Sequence, residues 1–249
     1  MASILDRYGI KEVADVTFYE INKQTGERGA PVLYLDTLKV STIEQTAEQT
    51  EARGGKGNPP LIIWDYGKEI NVTLEDALFS AKSMAIMFGN GTPAVSNATS
   101  TIYKTINWTA TGTAYPTTGG YTMNGKTYKV TSATIYDADG STAASASVGT
   151  NYMVTLALEA KTAATTIEIS PNTFPGTYYV TGDTYARNEV DGSDEFFQFV
   201  IPKAKVQSEN TITLEAEGDP SVFNLSLRVL RPKSGAMMQL IKYDLTQKS

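Results

Sequence analysis

The sequence predicts a mainly β protein with one good helix. Three observations carry that prediction. Tyr, at 14 residues, and Thr are abundant, and both favour strands. Short alternating segments recur between Gly, Pro, Asn and Asp turn signals. Only residues 73–88 repeat apolar side chains at helical spacing. A chain of 249 residues accommodates one large β domain or two small ones.

Residues 1–9 form a short arm whose Ile4, Leu5 and Tyr8 are expected to dock on the body or on a neighbouring subunit. Asp15–Ile21 reads as a strand, residues 22–31 as a turn-rich loop, and 32–35 and 38–42 as further strands. The last runs into residues 40–53, which alternate like a strand but are polar on both faces. One face carries Thr42, Glu44, Thr46, Glu48 and Thr50; the other carries Ser41, Ile43, Gln45, Ala47, Gln49, Glu51 and Arg53. A one-residue slip exchanges the faces of a strand, so register is weakly fixed when neither is oily. A partner from outside the chain is therefore expected to complete this ribbon.

Gly54-Gly55-Lys56-Gly57-Asn58-Pro59-Pro60 is a loop by its turn chemistry. Residues 61–64 (Leu-Ile-Ile-Trp) are expected as a short buried strand and 65–68 as a turn into 69–72. Thr73 is the expected helix N-cap, with Asp76 three residues on. Leu74, Ala77, Leu78, Ala81, Met84, Ala85 and Phe88 form the apolar stripe and Gly89 the stop.

After a Gly/Pro/Ser/Thr connector at 90–100, residues 101–171 are poor in charge. Strand-like pieces at 102–110, 121–123, 128–136, 153–160 and 166–170 alternate there with turn pairs such as Asn124-Gly125 and Asp139-Gly140. The chain thus divides into a body, 1–100 with 172–249, and an inserted or appended β-rich lobe, 101–171. Strands at 178–181, 184–187 and 195–201 follow, the last two joined at Asp191-Gly192, with Phe197, Phe199 and Ile201 on a core face. Strands at 211–216 and 222–230 flank Asp219-Pro220; Phe223, Leu225, Leu227 and Val229 share one face of the second. A strand at 237–243 closes the body.

The net charge of −6 and the absence of any basic run argue against a protein that grips nucleic acid. No stretch is apolar enough to span a bilayer or to act as a signal peptide. With no His and no Cys, Ser–His and Cys–His nucleophile pairs and thiolate chemistry are excluded. Gly54-Gly55-Lys56-Gly57 fails as a phosphate loop, because Asn58 and two prolines follow and no helix opens there. Asp137-Ala138-Asp139-Gly140 reads as a hairpin turn, since an EF-hand's third ligand and distant glutamate are missing. The pairs Glu44/Glu48 and Glu215/Glu217 read as solvated strand charge and not as a hydrolase acid and base. Lys203 and Lys205 read as edge-strand gatekeepers or subunit salt-bridge partners. No catalytic residue, metal or cofactor is expected.

The run Glu44-Gln45-Thr46-Ala47-Glu48-Gln49-Thr50-Glu51-Ala52-Arg53-Gly54-Gly55-Lys56-Gly57-Asn58, followed by 61–64 and Asp76-Ala77-Leu78, resembles tail tube (major tail) proteins of tailed bacteriophages. So do Phe197-Gln198-Phe199-Val200-Ile201-Pro202-Lys203-Ala204-Lys205 and Glu215-Ala216-Glu217-Gly218-Asp219-Pro220-Ser221. The resemblance covers both ends of the chain and leaves the middle lobe unmatched. It implies a β-sandwich or partial-barrel body with one packed helix and long hairpins. Copies would assemble into six-fold rings stacked as a tube through which DNA is ejected.

By the same resemblance Thr42, Glu44, Thr46, Glu48 and Thr50 face the lumen, and Gly54, Gly55, Lys56, Gly57 and Asn58 meet the adjacent ring. Thr211, Thr213, Glu215 and Glu217 are the candidates for a second inner hairpin. Inward Glu and Thr would keep the channel wet and repel phosphate, so DNA passes without specific binding. The implied partners are copies of the chain and other tail proteins: tape measure, terminator, baseplate and, in a contractile tail, sheath. The implied location is the virion, after assembly in the host cytoplasm. The middle lobe, decorating the outside, would favour a long non-contractile tail. Two alternatives stay open: a glycan- or host-surface-binding module using Trp64 and Trp108, and a tail-completion or baseplate-hub protein forming single rings.

Overall fold

Asp36 and Thr37 are the only residues between two strands that lie at opposite ends of a nine-stranded antiparallel sheet. That short link shapes the body. The computed structural model describes residues 7–89, 94–96, 101–159, 164–167, 169–212, 222–233 and 235–243. Within them the body strands are β1 (Tyr8–Ile10), β2 (Asp15–Ile21), β3 (Arg28–Leu35), β4 (Leu38–Arg53) and β5 (Pro60–Asp76). After helix α1 (Ala81–Phe88), the second unit holds β6 (Ala94–Ser96), β7 (Thr101–Thr109), β8 (Tyr121–Met123), β9 (Lys126–Tyr128), β10 (Val130–Tyr136), β11 (Asn151–Glu159) and β12 (Ala164–Thr166). The chain returns to the body with β13 (Thr177–Asn188), β14 (Asp194–Val206), β15 (Phe223–Val229) and β16 (Gln239–Tyr243). The chain divides into two compact units, with boundaries after residues 93 and 166.

The body sheet runs β3-β2-β13-β14-β15-β5-β4, with β1 added on β13 and β16 on β14. Because β3 passes into β4 through two residues, the sheet curls until its ends approach. No ladder joins β3 to β4 among the described residues, so the result is an open barrel. Alternation puts Val16 and Phe18 of β2, Val72 and Leu74 of β5, Val180 of β13 and Leu227 of β15 wholly inside, and a register irregularity in β14 lets both Ile201 and Val206 join them. Gly182 is required on β13: a Cβ there would sit 2.1 Å from the ring of Phe199, its partner on β14. Helix α1 adds Ile86 and Met87 to this core. Ser80 caps it, in a reciprocal box with Ser83, and Gly89 ends it in the left-handed conformation at φ 95°.

Several expectations are corrected here. Residues 73–76 continue β5 and do not open the helix, which starts at Ala81. Ile70, Val72, Leu74 and Asp76 are buried while their neighbours are only partly so, a period of two, and β15 supplies the ladder from Asn71 to Asp76. Asp76 is not a capping-box partner; its Oδ1 accepts from the Leu78 N–H (3.2 Å) and the Thr37 hydroxyl (2.5 Å). Residues 65–68 are no turn. Gly67 (φ 62°) and Lys68 stand opposite Ala47 alone, a bulge inside a continuous strand. Residues 61–64 are exposed, not buried. Strands expected at 178–181 and 184–187 are one strand, β13. Thr211 and Ile212 belong to no strand, and the expected Asp219-Pro220 turn lies outside the described residues. The loop at 22–31 shortens, because β3 starts at Arg28.

The second unit has its own core. Strand β11 lies between β7 and β10 and buries Tyr152, Val154, Leu156 and Leu158 with Val130 and Ile135. The Trp108 ring packs edge-on to Tyr115 at 5.5 Å. Asn124 and Gly125, at φ 51° and 74°, make the tight β8–β9 turn that their sequence signals.

Candidate assembly surface: the β4–β5 ribbon

Strands β4 and β5 pair from Leu38↔Asp76 out to Arg53↔Pro60, but β15 covers β5 only as far as Asn71. Beyond Ile70 the hairpin is a two-stranded ribbon. Neither of its edges has a strand partner among the described residues. Such a ribbon is marginal alone in water, because it buries almost nothing.

Residues opposite one another in a ladder share a face. The pairs Thr42↔Thr73, Glu44↔Asn71, Thr46↔Glu69, Glu48↔Tyr66 and Thr50↔Trp64 therefore lie together on one face. All five β4 members are exposed, on the side opposite the buried Val72 and Leu74. The face changes character along its length: Thr, Asn and Glu at the base give way to Tyr66 and Trp64 towards the tip. The opposite face pairs Gln49 with Asp65 and Glu51 with Ile63. The outer ribbon is thus amphipathic across its strands, with apolar and polar side chains on both faces. Leu61, Ile62, Ile63, Trp64 and Tyr66 are between 51% and 64% exposed, and the strand opposite them, Glu48 to Arg53, is polar except for Ala52. Sequence reasoning assigned residues 61–64 to the core and missed them as surface. The available signal was the partner strand, which has no oily face to close over them.

Polar contacts stiffen the ribbon without covering it. Gln49 Nε2 donates to Asp65 at 2.8 Å, and Arg53 Nε donates to Glu51 at 2.7 Å. Arg228 of β15 pairs with Glu69 at the base. At the tip, Gly54 N–H donates to the Pro59 carbonyl at 3.2 Å and Asn58 N–H to that of Gly55 at 3.1 Å. Gly55, Gly57 and Asn58 all have positive φ, which explains the residue types there. Lys56, exposed, sits in this tip.

Of the second candidate group, Thr211 is exposed and outside any strand, while Thr213, Glu215 and Glu217 lie outside the described residues. The other motifs fold into local roles. Asp139 Oδ1 accepts from the Ser141 N–H (2.9 Å) and hydroxyl (2.7 Å), which lowers its pKa and closes the turn. Strand β14 is interior to the sheet, so Lys203 and Lys205 guard no edge, and Lys205 donates to the Pro175 carbonyl. Trp108 belongs to the core of the second unit and Trp64 to the ribbon of the first. An open cleft of about 390 Å³ is lined by Gly9, Lys11, Glu12, Tyr185, Arg187 and Asp194. Its Arg187 and Asp194 already neutralise each other through two hydrogen bonds of 2.7 Å.

Over residues 8–242 the chain matches the model of the YomU/Tube protein family. The chain belongs to the YomU/Tube protein family. This agrees with the tail tube resemblance, and it extends the relationship through the middle unit that the resemblance left unmatched. No curated protein matches the chain. No helix of this YomU/Tube chain, among the described residues, is long and apolar enough to cross a membrane.

Proposed function

We propose that the chain is a structural, non-catalytic subunit of a phage tail tube. Its copies form rings, six-fold as in tail tubes of this type, and the rings stack into the conduit through which DNA leaves the particle. The observation that carries this reading is the outer ribbon: two strands without a third, with five large apolar side chains exposed. Apolar surface of that kind marks an interaction site. Edge-to-edge pairing of ribbons around a ring removes the open edges and completes the sheet. The Glu44–Glu48–Thr50 face then borders the bore, where its carboxylates repel phosphate and let DNA slide. Tape measure, terminator and baseplate proteins are the partners expected at the ends of such a tube.

Negative-stain microscopy of the purified protein over a range of concentrations tests the proposal. Rings or tubes are expected; a strictly monomeric protein at every concentration would overturn it. The exposure of Trp64 and Tyr66, two residues apart on one strand face, favours a second reading as a host-surface glycan site. Under that reading the protein stays monomeric and glycan quenches Trp64 fluorescence.

A further inference from the structure

Exposed apolar side chains lie at the start of β5 and just beyond its end. At its start, Leu61 and Ile62 adjoin the Lys56-bearing tip. Just beyond its other end, Leu78 and Phe79 are 65% and 57% exposed. This far step is rigidly built. Phe79 packs on Phe223 with ring centres 4.3 Å apart, and Asp76 holds both the Leu78 amide and the Thr37 hydroxyl. The Ala77 N–H donates to the Thr37 carbonyl at 3.1 Å, which sets Asp36, exposed, at the same end. Neither Asp36 nor Lys56 is in an ion pair among the described residues. The 17 residues of β5, at about 3.3 Å each, separate the two ends by roughly 55 Å. One chain therefore cannot bring them together.

We infer that the ribbon tip of one copy docks on the Leu78–Phe79 step of a second copy, with Lys56 facing Asp36. This rests on the assembly proposed above and names the surfaces that join successive copies. Charge and hydrophobicity both match across this contact. A symmetric tip-to-tip contact would instead oppose two Lys56 ammoniums and leave the Leu78–Phe79 step uncovered. A head-to-tail contact between different patches closes a ring or propagates as a filament according to its rotation; here the two patches sit at opposite ends of β5, so the contact propagates along the direction of β4 and β5.

The chain contains no cysteine, so crosslinking reads the contact directly. The full chain carrying both Asp36→Cys and Lys56→Cys, oxidised under assembly conditions, is expected to give a ladder of multimers on a non-reducing gel. Either single variant is expected to give no ladder. A double variant that yields no product, or only the dimers of the Lys56→Cys variant, would overturn the inference. Leu78→Ser combined with Phe79→Ser should leave the monomer folded and raise the concentration needed for assembly at least about tenfold; an unchanged threshold would also overturn it. Wild-type tubes seen by microscopy without a crosslinked ladder would remove only this contact. A wild type that never associates would remove the assembly itself.

Discussion

The two halves of the β4–β5 hairpin hold similar residues and have opposite fates. Near the base, Ile70, Val72 and Leu74 of β5 lie in the barrel core, the last two paired beside β15 and with no exposure at all. Near the tip, Leu61, Ile62, Ile63 and Trp64 of the same strand are at least half exposed. Composition does not separate them, since the tip is the more apolar of the two. The difference is the third strand. Burial belongs to the neighbourhood and not to the residue, and at the tip the chain supplies only a polar strand as neighbour. The second unit makes the same point from the other side: β11 has a strand on each flank and buries four large side chains by itself.

Deleting residues 54–58 should have the largest effect, loss of tube formation with an intact monomer. Pelleting assays and circular dichroism would check it, and wild-type tube yield would remove the role of the tip. Next, Leu74→Ala should destabilise the monomer by about 2–5 kcal/mol, whereas Leu61→Ala should change it by less than about 0.5 kcal/mol. Urea unfolding of the monomer measures both. Equal losses would mean that the tip is buried within the single chain. Glu44→Lys with Glu48→Lys should leave stability nearly unchanged and allow assembly, yet hinder genome delivery; normal infectivity of such particles would count against the bore assignment.

The smallest expected effect lies far from the ribbon, at the β13–β14 turn. Arg187 holds the Asp194 carboxyl below its ordinary pKa of 3.8, and Ser193 does the same for Asp191. A depressed folded pKa contributes stability that is complete above the ordinary value and is lost as pH falls through the lower one. The turn should therefore loosen only under acid, while the uncharged tip contacts Gly54–Pro59 and Asn58–Gly55 persist. Both groups are exposed, so the change should be local, visible as a shift of the Ser193 amide in an NMR titration and not as unfolding.

The strands of the core were legible because their alternation was clean. Phe223, Leu225, Leu227 and Val229 face inward as their spacing predicts. The helix was misplaced because Leu74, Ala77, Leu78 and Ala81 satisfy a helical stripe by accident. The decisive signals were local, the Ile70–Val72–Leu74 alternation and the Ser80–Ser83 box. The 65–68 turn was misread because a glycine at positive φ serves a bulge as well as a turn. At the ribbon, the polar alternation of 40–53 and the turn chemistry of Gly54–Asn58 correctly marked a strand and a loop, since both depend on local chemistry. The exposure of Trp64 was not legible, since it depends on where β15 stops.

Trp64 gives the most direct test of the central claim, that this ribbon is completed by other copies. In a Trp108→Phe variant it is the only tryptophan. As concentration rises into the assembling range, its emission should shift to the blue and its quenching by acrylamide should fall, in step with tube formation by microscopy. Tubes that form while Trp64 stays as solvent-exposed as in the monomer would contradict the claim.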